Sequence, residues 1–183
     1  QMPSSGNYYD VIGSATGFTW FDAKAQAEAV TFLGAAGHLA TITSQAENDF
    51  IFNNLLVTGE NYWIGGFQPT GSAEPGGNWQ WISGEPFAYT NWTGGEPNNF
   101  PSFAGSGEDG IHMIGVNGEW NDLHRNRGGT PSDGSYSFII EFERAQMQVP
   151  EHNVSTLTLT FSILVPLVLL HRQRLGRAPD AIS

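Results

Sequence analysis

Residues 91–122 read NWTGGEPNNFPSFAGSGEDGIHMIGVNGEWND, a stretch rich in glycine and proline that also carries several oxygen-bearing side chains. It contains EPN at 96–98, ED at 108–109 and WND at 120–122. None of these short motifs offers sulfur or imidazole, and carboxylate and carbonyl oxygens are the ligands that Ca²⁺ prefers in proteins. We therefore interpret the segment as a calcium-binding loop region.

Five side chains of this segment are the candidate metal ligands: Glu96, Asn98, Glu108, Asn121 and Asp122. Three carboxylates against one dication leave a local charge of −1. A backbone carbonyl of the same strand is a candidate sixth oxygen. Because Ca²⁺ accepts about six to eight oxygens, one or two coordination positions are then left for an outside ligand.

An outside ligand with two adjacent hydroxyls fits this mixture of carboxylates and amides. Each hydroxyl oxygen can give one lone pair to the metal, accept an N–H from an asparagine and donate its hydrogen to a carboxylate. Pro97 lies between two candidate ligands, and a cis bond before it would turn both flanking side chains to one side. The pattern therefore predicts a site for a diol.

The composition of the chain restricts the classes of protein to which it can belong. Of its 183 residues, 39% are hydrophobic and 13% aromatic, which is enough for a packed core. Before residue 150 there are four Lys and Arg against 16 Asp and Glu, so phosphate backbones would be repelled and nucleic acid is excluded as a partner. The absence of cysteine excludes disulfides, thiolate zinc sites and cysteine nucleophiles.

Helix signals lie in the first third of the chain, and strand signals dominate after it. Thr19 before an alanine-rich run predicts a helix near 19–33, and Ser44 with Glu47 forms a capping box that predicts a second helix near 44–56. Residues 38–42 are expected to be an extended link. The remaining aromatic and β-branched runs predict short strands at 7–12, 62–67, 79–82, 111–116, 119–120 and 136–142.

The motifs together resemble the C-type lectin domain over roughly residues 7–143. The resemblance implies an α+β C-type lectin fold, with two helices packed on short antiparallel sheets and a long calcium-binding loop region. It implies a carbohydrate-recognition domain at 1–145 and a separate segment at 146–183. The residues that carry it are HLATITS at 38–44, WIGG at 63–66, WQW at 79–81, YTNW at 89–92, EPN at 96–98, ED at 108–109, GEWND at 118–122 and FIIE at 138–141.

In that family the five candidate ligands match the positions of the calcium ion that binds sugar directly. The Glu-Pro-Asn form goes with mannose-type sugars that bear equatorial 3- and 4-hydroxyls, and a Gln-Pro-Asp form goes with galactose. For a second, structural calcium of animal lectins, Glu108 and Asp109 match, Asn99 stands where an acid is common, and the 68–77 loop offers only Glu74. The family's framework disulfides are absent, as in many bacterial members, so the aromatic core must provide the stability.

Residues 146–183 form a module of a different kind. An uncharged run at 154–170 is followed by Arg172 and Arg174, which is a short candidate membrane span. With VPE at 149–151 it resembles a PEP-CTERM sorting signal, although His152 replaces the usual second proline. The alternative is a buried C-terminal helix. The segment predicts a secreted or cell-surface protein with a possible membrane tether.

The leading hypothesis is calcium-dependent carbohydrate binding without enzymatic activity, with glycans or exopolysaccharide as partners. One alternative is a lectin-like scaffold that binds protein or matrix, and another is a hydrolase using Glu96 and Glu108 as paired acid and base. Arg125 and Arg127, which follow the WND motif, are candidate ligand contacts, although exposed loop arginines usually have no specific role. Four tryptophans are expected to be core residues before sugar-stacking ones: Trp79, Trp81, Trp92 and Trp120.

Overall fold

A computed structural model describes residues 1–2, 4–101, 107–130 and 136–147. All of the described residues lie in one compact unit, Gln1–Val149. The apolar run at 154–170 and the predicted sorting signal lie outside the described residues, and the domain boundary at 145 stays a prediction. Within the described ranges, no helix combines the length and the apolar character that crossing a bilayer requires.

Both predicted helices form and begin where their capping residues place them. Helix α1 spans Trp20–Ala29, and the side chain of Thr19 accepts the backbone N–H of Asp22. Helix α2 spans Gln45–Leu55, and Ser44 accepts the N–H of Glu47 at 3.3 Å. Each cap supplies an acceptor to a backbone donor that the first helical turn leaves without a partner.

Eight strands among the described residues form one sheet. The order is β2-β3-β8-β4-β6-β7, with β1 paired to β8 and β5 paired to β4. A short 3-10 helix, Arg144–Gln146, follows the last strand. The strands are β1 Tyr8–Ile12, β2 Thr31–Phe32, β3 Ala35–Leu39, β4 Asn61–Phe67, β5 Gln80–Trp81, β6 Gly110–Ile114, β7 Trp120–Leu123 and β8 Tyr136–Phe142.

The predicted α+β class is confirmed, with two corrections of detail. Strands β4 and β8 run parallel, so the sheet is mixed where antiparallel pairing was expected. The first helix ends at Ala29 and not near residue 33, because β2 and β3 form a hairpin there. Leu33 and Gly34 make its turn with positive φ, and the β-branched and aromatic residues before them favour extended backbone.

Tryptophan and other aromatic side chains fill the core on both faces of the sheet. Trp63 and Trp120 are fully buried, and Trp79 and Trp81 are buried as well, so the expectation of core tryptophans is confirmed for 79, 81 and 120. Trp92 is partly buried and packs against the same cluster. This core supports β7, the strand that carries two of the candidate ligands.

Candidate functional site

The loop that carries the first two candidate ligands is anchored on β7. The N–H of Thr93 donates to the carbonyl oxygen of Trp120 at 2.9 Å, and the N–H of Glu96 donates back to Thr93 at 3.0 Å. The Glu96–Pro97 bond is cis. Nδ2 of Asn98 donates to Oε1 of Glu96 at 2.7 Å, so these two predicted ligands contact each other.

Asp122 joins this loop to the sheet. It lies in β7 opposite Ile111 of β6 and is fully buried. Its Oδ1 accepts the N–H of Asn98 at 3.1 Å, and its Oδ2 accepts the N–H of Asn99 at 2.9 Å. Two backbone donors therefore hold the 98–99 segment against the carboxylate of a third predicted ligand.

Glu108 approaches the same loop from the side of β6. It is 4% exposed, and its Oε2 accepts the N–H of Phe100 at 3.0 Å. Its own N–H donates to Oδ1 of Asn99 at 2.7 Å. Gly107 makes this approach possible, because a Cβ there would lie 1.8 Å from Oδ1 of Asn99.

The three carboxylates act on one another electrostatically. Burial raises the pKa of the Glu96 carboxyl to about 7, and contact with Asp122 and the charge of Glu108 add to the rise. Oε2 of Glu96 is buried without a hydrogen-bond partner among the described residues. Ionised carboxylates crowded in this way favour either a shared proton or a bound cation.

Asn121 is held by two neighbours within the sheet. Its Nδ2 donates to the carbonyl oxygen of Asp122 at 2.6 Å and lies 3.2 Å from Nε2 of His112, the residue opposite it in β6. His112 is 5% exposed, and burial lowers the pKa of its imidazole to about 4, so the ring is neutral at physiological pH. The Asn121 amide and the Asp122 carbonyl thus sit side by side.

These observations fit a calcium ion by the chemistry of the donor set. Glu96, Asn98, Glu108 and Asp122 are joined by direct contacts through a single loop, and Asn121 flanks Asp122. Within the described ranges, no three His, Cys, Asp or Glu side chains are grouped closely enough to form a metal site by themselves. Two of the five predicted ligands are asparagines, and both carry oxygen donors suited to Ca²⁺.

Arg125 does not behave as an ordinary loop arginine. Its Nε donates to Oδ2 of Asp109 at 2.8 Å, its guanidinium Nη2 lies 2.6 Å from the same oxygen, and its side chain is 15% exposed. The expectation of an exposed, unspecific residue is wrong for Arg125. The Asp109 carboxylate, which matched a second calcium position in the sequence, is engaged by this arginine.

Three residues of the site were not among the five ligands predicted from the sequence. Asn99 connects Glu108 to Asp122, His112 contacts Asn121, and Phe100 presents a ring that is 62% exposed beside the loop. Asn99 and Phe100 directly follow the EPN motif, which is the signal that could have found them. No sequence signal marks His112, because its contact depends on strand register.

Comparisons with known proteins agree with this architecture. Halomucin of Haloquadratum walsbyi is 38% identical over 82 residues, which are 45% of this chain and 1% of that protein. Regenerating islet-derived protein 3-beta of Mus musculus is 39% identical over 67 residues, 34% of this chain and 36% of that protein. The chain therefore matches only a small part of the length of these relatives.

Solved structures of similar fold cover more of the chain. The mouse scavenger receptor C-type lectin carbohydrate-recognition domain superposes with a TM-score of 0.54 at 31% identity, covering 74% of this chain and 89% of that one. The cow CD23 carbohydrate-recognition domain, solved in the presence of a GlcNAc2Man3 oligosaccharide, gives 0.53 at 26% identity over 74% and 84%. A calcium-independent type II antifreeze protein gives 0.53 at 25% identity over 75% and 85%.

The predicted C-type lectin fold is thereby confirmed. The pattern of the family described as the lectin C-type domain matches residues 19–127, which is more than half of the chain and includes all five candidate ligands. The chain belongs to the C-type lectin domain family.

Proposed function

We propose that this domain binds carbohydrate in a calcium-dependent manner. The observation that carries the proposal is that Asp122 and Glu108 both accept N–H groups of residues 98–100, directly after Glu96, one buried oxygen of which has no partner among the described residues. Carboxylates in this state bind a hard dication well, because oxygen ligands and negative charge are what Ca²⁺ requires. Family membership gives the coarser function, carbohydrate binding, independently.

Each predicted ligand has a distinct part in this proposal. Asp122 and Glu108 hold the metal from the inner side, where both are buried. Glu96 and Asn98 lie at the outer side and offer an acceptor and a donor to the two hydroxyls of a sugar. A bound Ca²⁺ would supply coordination positions for those hydroxyls. No group of the site is assigned a nucleophile's role, so the domain holds its ligand without converting it.

The ligand class follows from the outer pair of residues. The Glu-Pro-Asn order at 96–98 is the one that goes with mannose-type sugars bearing equatorial 3- and 4-hydroxyls. Phe100 adds an exposed ring beside the loop, and aromatic rings commonly pack against the apolar face of a sugar. We therefore propose mannose-type glycans or an exopolysaccharide containing such sugars as the partner.

The experiment is retention of the full chain on immobilised mannose with Ca²⁺ and then with a chelator. We expect the wild type to be retained with Ca²⁺ and released by the chelator. The double variant Glu96→Gln with Asn98→Asp is expected to lose retention on mannose. A matched control is Glu28→Gln with Asn53→Asp, which makes the same chemical changes on exposed helix surfaces. Equal retention with and without Ca²⁺ would reject the mechanism.

We also propose that the protein is secreted or displayed at the cell surface, with residues 146–183 as a sorting or anchoring module of the PEP-CTERM type. The support is the uncharged run at 154–170 before two arginines, and the absence of cysteine is compatible with a bacterial member of the family. The test is membrane fractionation of the full chain against Leu164→Arg with Leu167→Arg. The variant is expected to move from the membrane fraction to the soluble fraction.

A second candidate function is a scaffold that binds protein or matrix partners without sugar. The fold similarity to a calcium-independent antifreeze protein favours it, because the same architecture occurs there without a need for the ion. Under this alternative, Glu96→Gln with Asn98→Asp leaves partner binding intact. Pull-down by the wild type and by this variant, each with and without chelator, separates the two functions.

A further inference from the structure

The family resemblance implies a second, structural calcium beside the first, and the residues present do not fit it. A cavity of about 350 Å³ lies at the corresponding place, between the 68–77 loop and the residues just before β6 and just after β7. Six polar side chains line it: Gln68, Thr70, Glu74, Asn99, Asp109 and His124. Two of these are neutral amides. One of the two carboxylates, Asp109, is already paired with a cation of the chain.

Arg125 provides that cation with defined geometry. Its backbone N–H donates to Oδ1 of Asp109 at 3.1 Å, while the side chain contacts Oδ2 through Nε at 2.8 Å and Nη2 at 2.6 Å. The guanidinium lies 5.0 Å from the ring centroid of Phe21 and 5.4 Å from that of Trp20. A planar guanidinium suits such combined ion pairing and stacking, whereas a lysine would act only as a point charge.

Gln68 stabilises the 68–77 loop, which a second metal ion would otherwise hold in place. It is 1% exposed, and its Nε2 donates to the carbonyl oxygens of Pro75 at 3.1 Å and Gly77 at 2.7 Å. Its backbone N–H donates to the carbonyl oxygen of Asp109 at 2.9 Å. One side chain therefore fixes the far end of the 68–77 loop, and its main chain fixes the near end to the residue that Arg125 holds.

Asn99 makes the third connection. Its Oδ1 accepts the N–H of Glu108 at 2.7 Å, and its own N–H donates to Asp122 at 2.9 Å. Asn99 has a φ of +52°, a conformation that asparagine tolerates better than most residues. Asn99 therefore connects the loop to the strand through hydrogen bonds. An acid at this position would make the connection through a bound ion.

We propose that Arg125, Gln68 and Asn99 are positioning residues that hold the binding loops in place of a second metal ion. The loops are then formed before calcium arrives, and each domain binds one Ca²⁺ and not two. The stoichiometry rests on the proposed calcium function, whereas the positioning of the loops does not. The two parts are therefore tested by separate measurements.

The first measurement is amide hydrogen exchange of the full chain in chelator. In Arg125→Gln, the backbone N–H groups of residues 68 and 125 are expected to exchange at least about tenfold faster. The first donates to the carbonyl oxygen of Asp109 and the second to its Oδ1, and Arg125 holds this residue in place. Amides of β8 keep their rates, which shows that the fold is intact. Arg125→Lys keeps the charge without the planar contact and is expected to give an intermediate rate.

Lys24→Gln is the matched control, since it removes one positive charge from an exposed ion pair of α1. If the Gln68 amide exchanges no faster in Arg125→Gln than in Lys24→Gln, the positioning role is overturned. This result does not depend on calcium, so it decides the proposal even if the domain binds no metal.

The second measurement is the number of calcium ions bound at saturation. The wild type is expected to bind one, with the same number in Glu74→Gln and in Asp109→Asn. Arg125→Gln is expected to bind that ion about tenfold more weakly, the scale of losses from residues that orient metal ligands. Two ions in the wild type, with the second lost in Asp109→Asn, would overturn the proposal.

Discussion

Two groups of carboxylates in this domain are satisfied in opposite ways. The inner group lies between the sheet and α2 and consists of Glu47 and Glu141, which are bridged by the hydroxyl of Tyr9 at 2.5 and 3.0 Å. The outer group, in the loops, consists of Glu96, Glu108 and Asp122. Each group contains two buried carboxylates, to which the outer group adds the partly buried Glu96, but the two groups differ in the donors that the protein gives them.

The inner group is surrounded by donors from the protein itself. Glu47 accepts the N–H and the hydroxyl of Thr43, and Glu141 accepts the N–H of Thr41 at 2.9 Å. The Tyr9 hydroxyl carries one hydrogen, so a full hydrogen bond to each carboxylate needs a second proton, on a carboxyl group. The pKa of Glu141, which burial raises to about 7, agrees with such a proton.

The outer group receives backbone N–H groups and one amide, and one oxygen of Glu96 has no partner among the described residues. The difference between the inner and outer groups shows that burial and charge alone do not identify a binding site. The inner carboxylates already have their hydrogen bonds and serve stability. The outer carboxylates are held by donors of the loop, and one buried Glu96 oxygen is left without a partner among the described residues, which is the feature that the proposed cation site needs.

The largest expected effect comes from removing a charge of the outer group. Asp122→Asn is expected to weaken calcium binding at least about 100-fold, because this buried carboxylate would be an inner ligand of the proposed site and also holds the 98–99 segment. Isothermal titration calorimetry with Ca²⁺ measures this affinity. Asp10→Asn, at an exposed position of β1, is the control and is expected to bind calcium as the wild type does. An unchanged affinity in Asp122→Asn would remove the distinction between the two groups.

The inner group is expected to affect stability and not binding. Tyr9→Phe removes the hydroxyl shared by two buried carboxylates and is expected to lower the free energy of unfolding by about 2 kcal/mol. Tyr8→Phe removes the same atom from the preceding, less buried residue and is expected to cost less than about 0.5 kcal/mol. Urea denaturation measures both. If Tyr9→Phe is fully folded and still loses calcium affinity, the claim that the inner group affects only stability is contradicted.

The pH dependence of stability sharpens the same comparison. Glu141 has a pKa of about 7 in the folded chain against an ordinary 4.5, so the folded state holds a proton that the unfolded state loses. Its contribution is therefore complete below pH 4.5 and is lost as the pH rises through about 7. Glu141→Gln is expected to flatten this decline in chelator. A slope equal to that of the wild type would show that the proton lies elsewhere.

The smallest expected effect concerns the sugar alone. Phe100→Ala is expected to weaken sugar binding about fivefold, equivalent to about 1 kcal/mol for the lost aromatic packing, and to leave calcium affinity unchanged. Val116→Ala truncates a similarly exposed apolar residue at the turn between β6 and β7 and should change neither. Equal effects of the two substitutions would show that the Phe100 ring is not part of the binding surface.

The sequence predicted the parts of the molecule that depend on local patterns. Capping residues located the starts of both helices, and the three motifs at 96–98, 108–109 and 120–122 identified residues that the fold brings together or places side by side. The β2–β3 hairpin was missed, because the alanine-rich run before it gives no sign of where the helix stops. Gly34 lies in the hairpin turn and Gly37 in β3, so neither glycine marks the end of the helix.

Contacts between distant residues could not be predicted in the same way. Tyr9 meets Glu47 and Glu141 across 38 and 132 residues, and Arg125 reaches Asp109 only because β6 and β7 pair as they do. His112 faces Asn121 for the same reason of register. These contacts depend on the assembled sheet, so a pattern read along the chain contains no signal for them.

The central claim is that the outer carboxylates bind calcium, and calorimetric titration of the wild type with Ca²⁺ near pH 7 tests it most directly. The pKa of Glu96 lies at about 7 without metal, so binding should displace a fraction of a proton. The account predicts saturable binding whose heat changes with the ionisation enthalpy of the buffer, and mannose binding only after saturation. Absence of saturable calcium binding by the folded chain would contradict it.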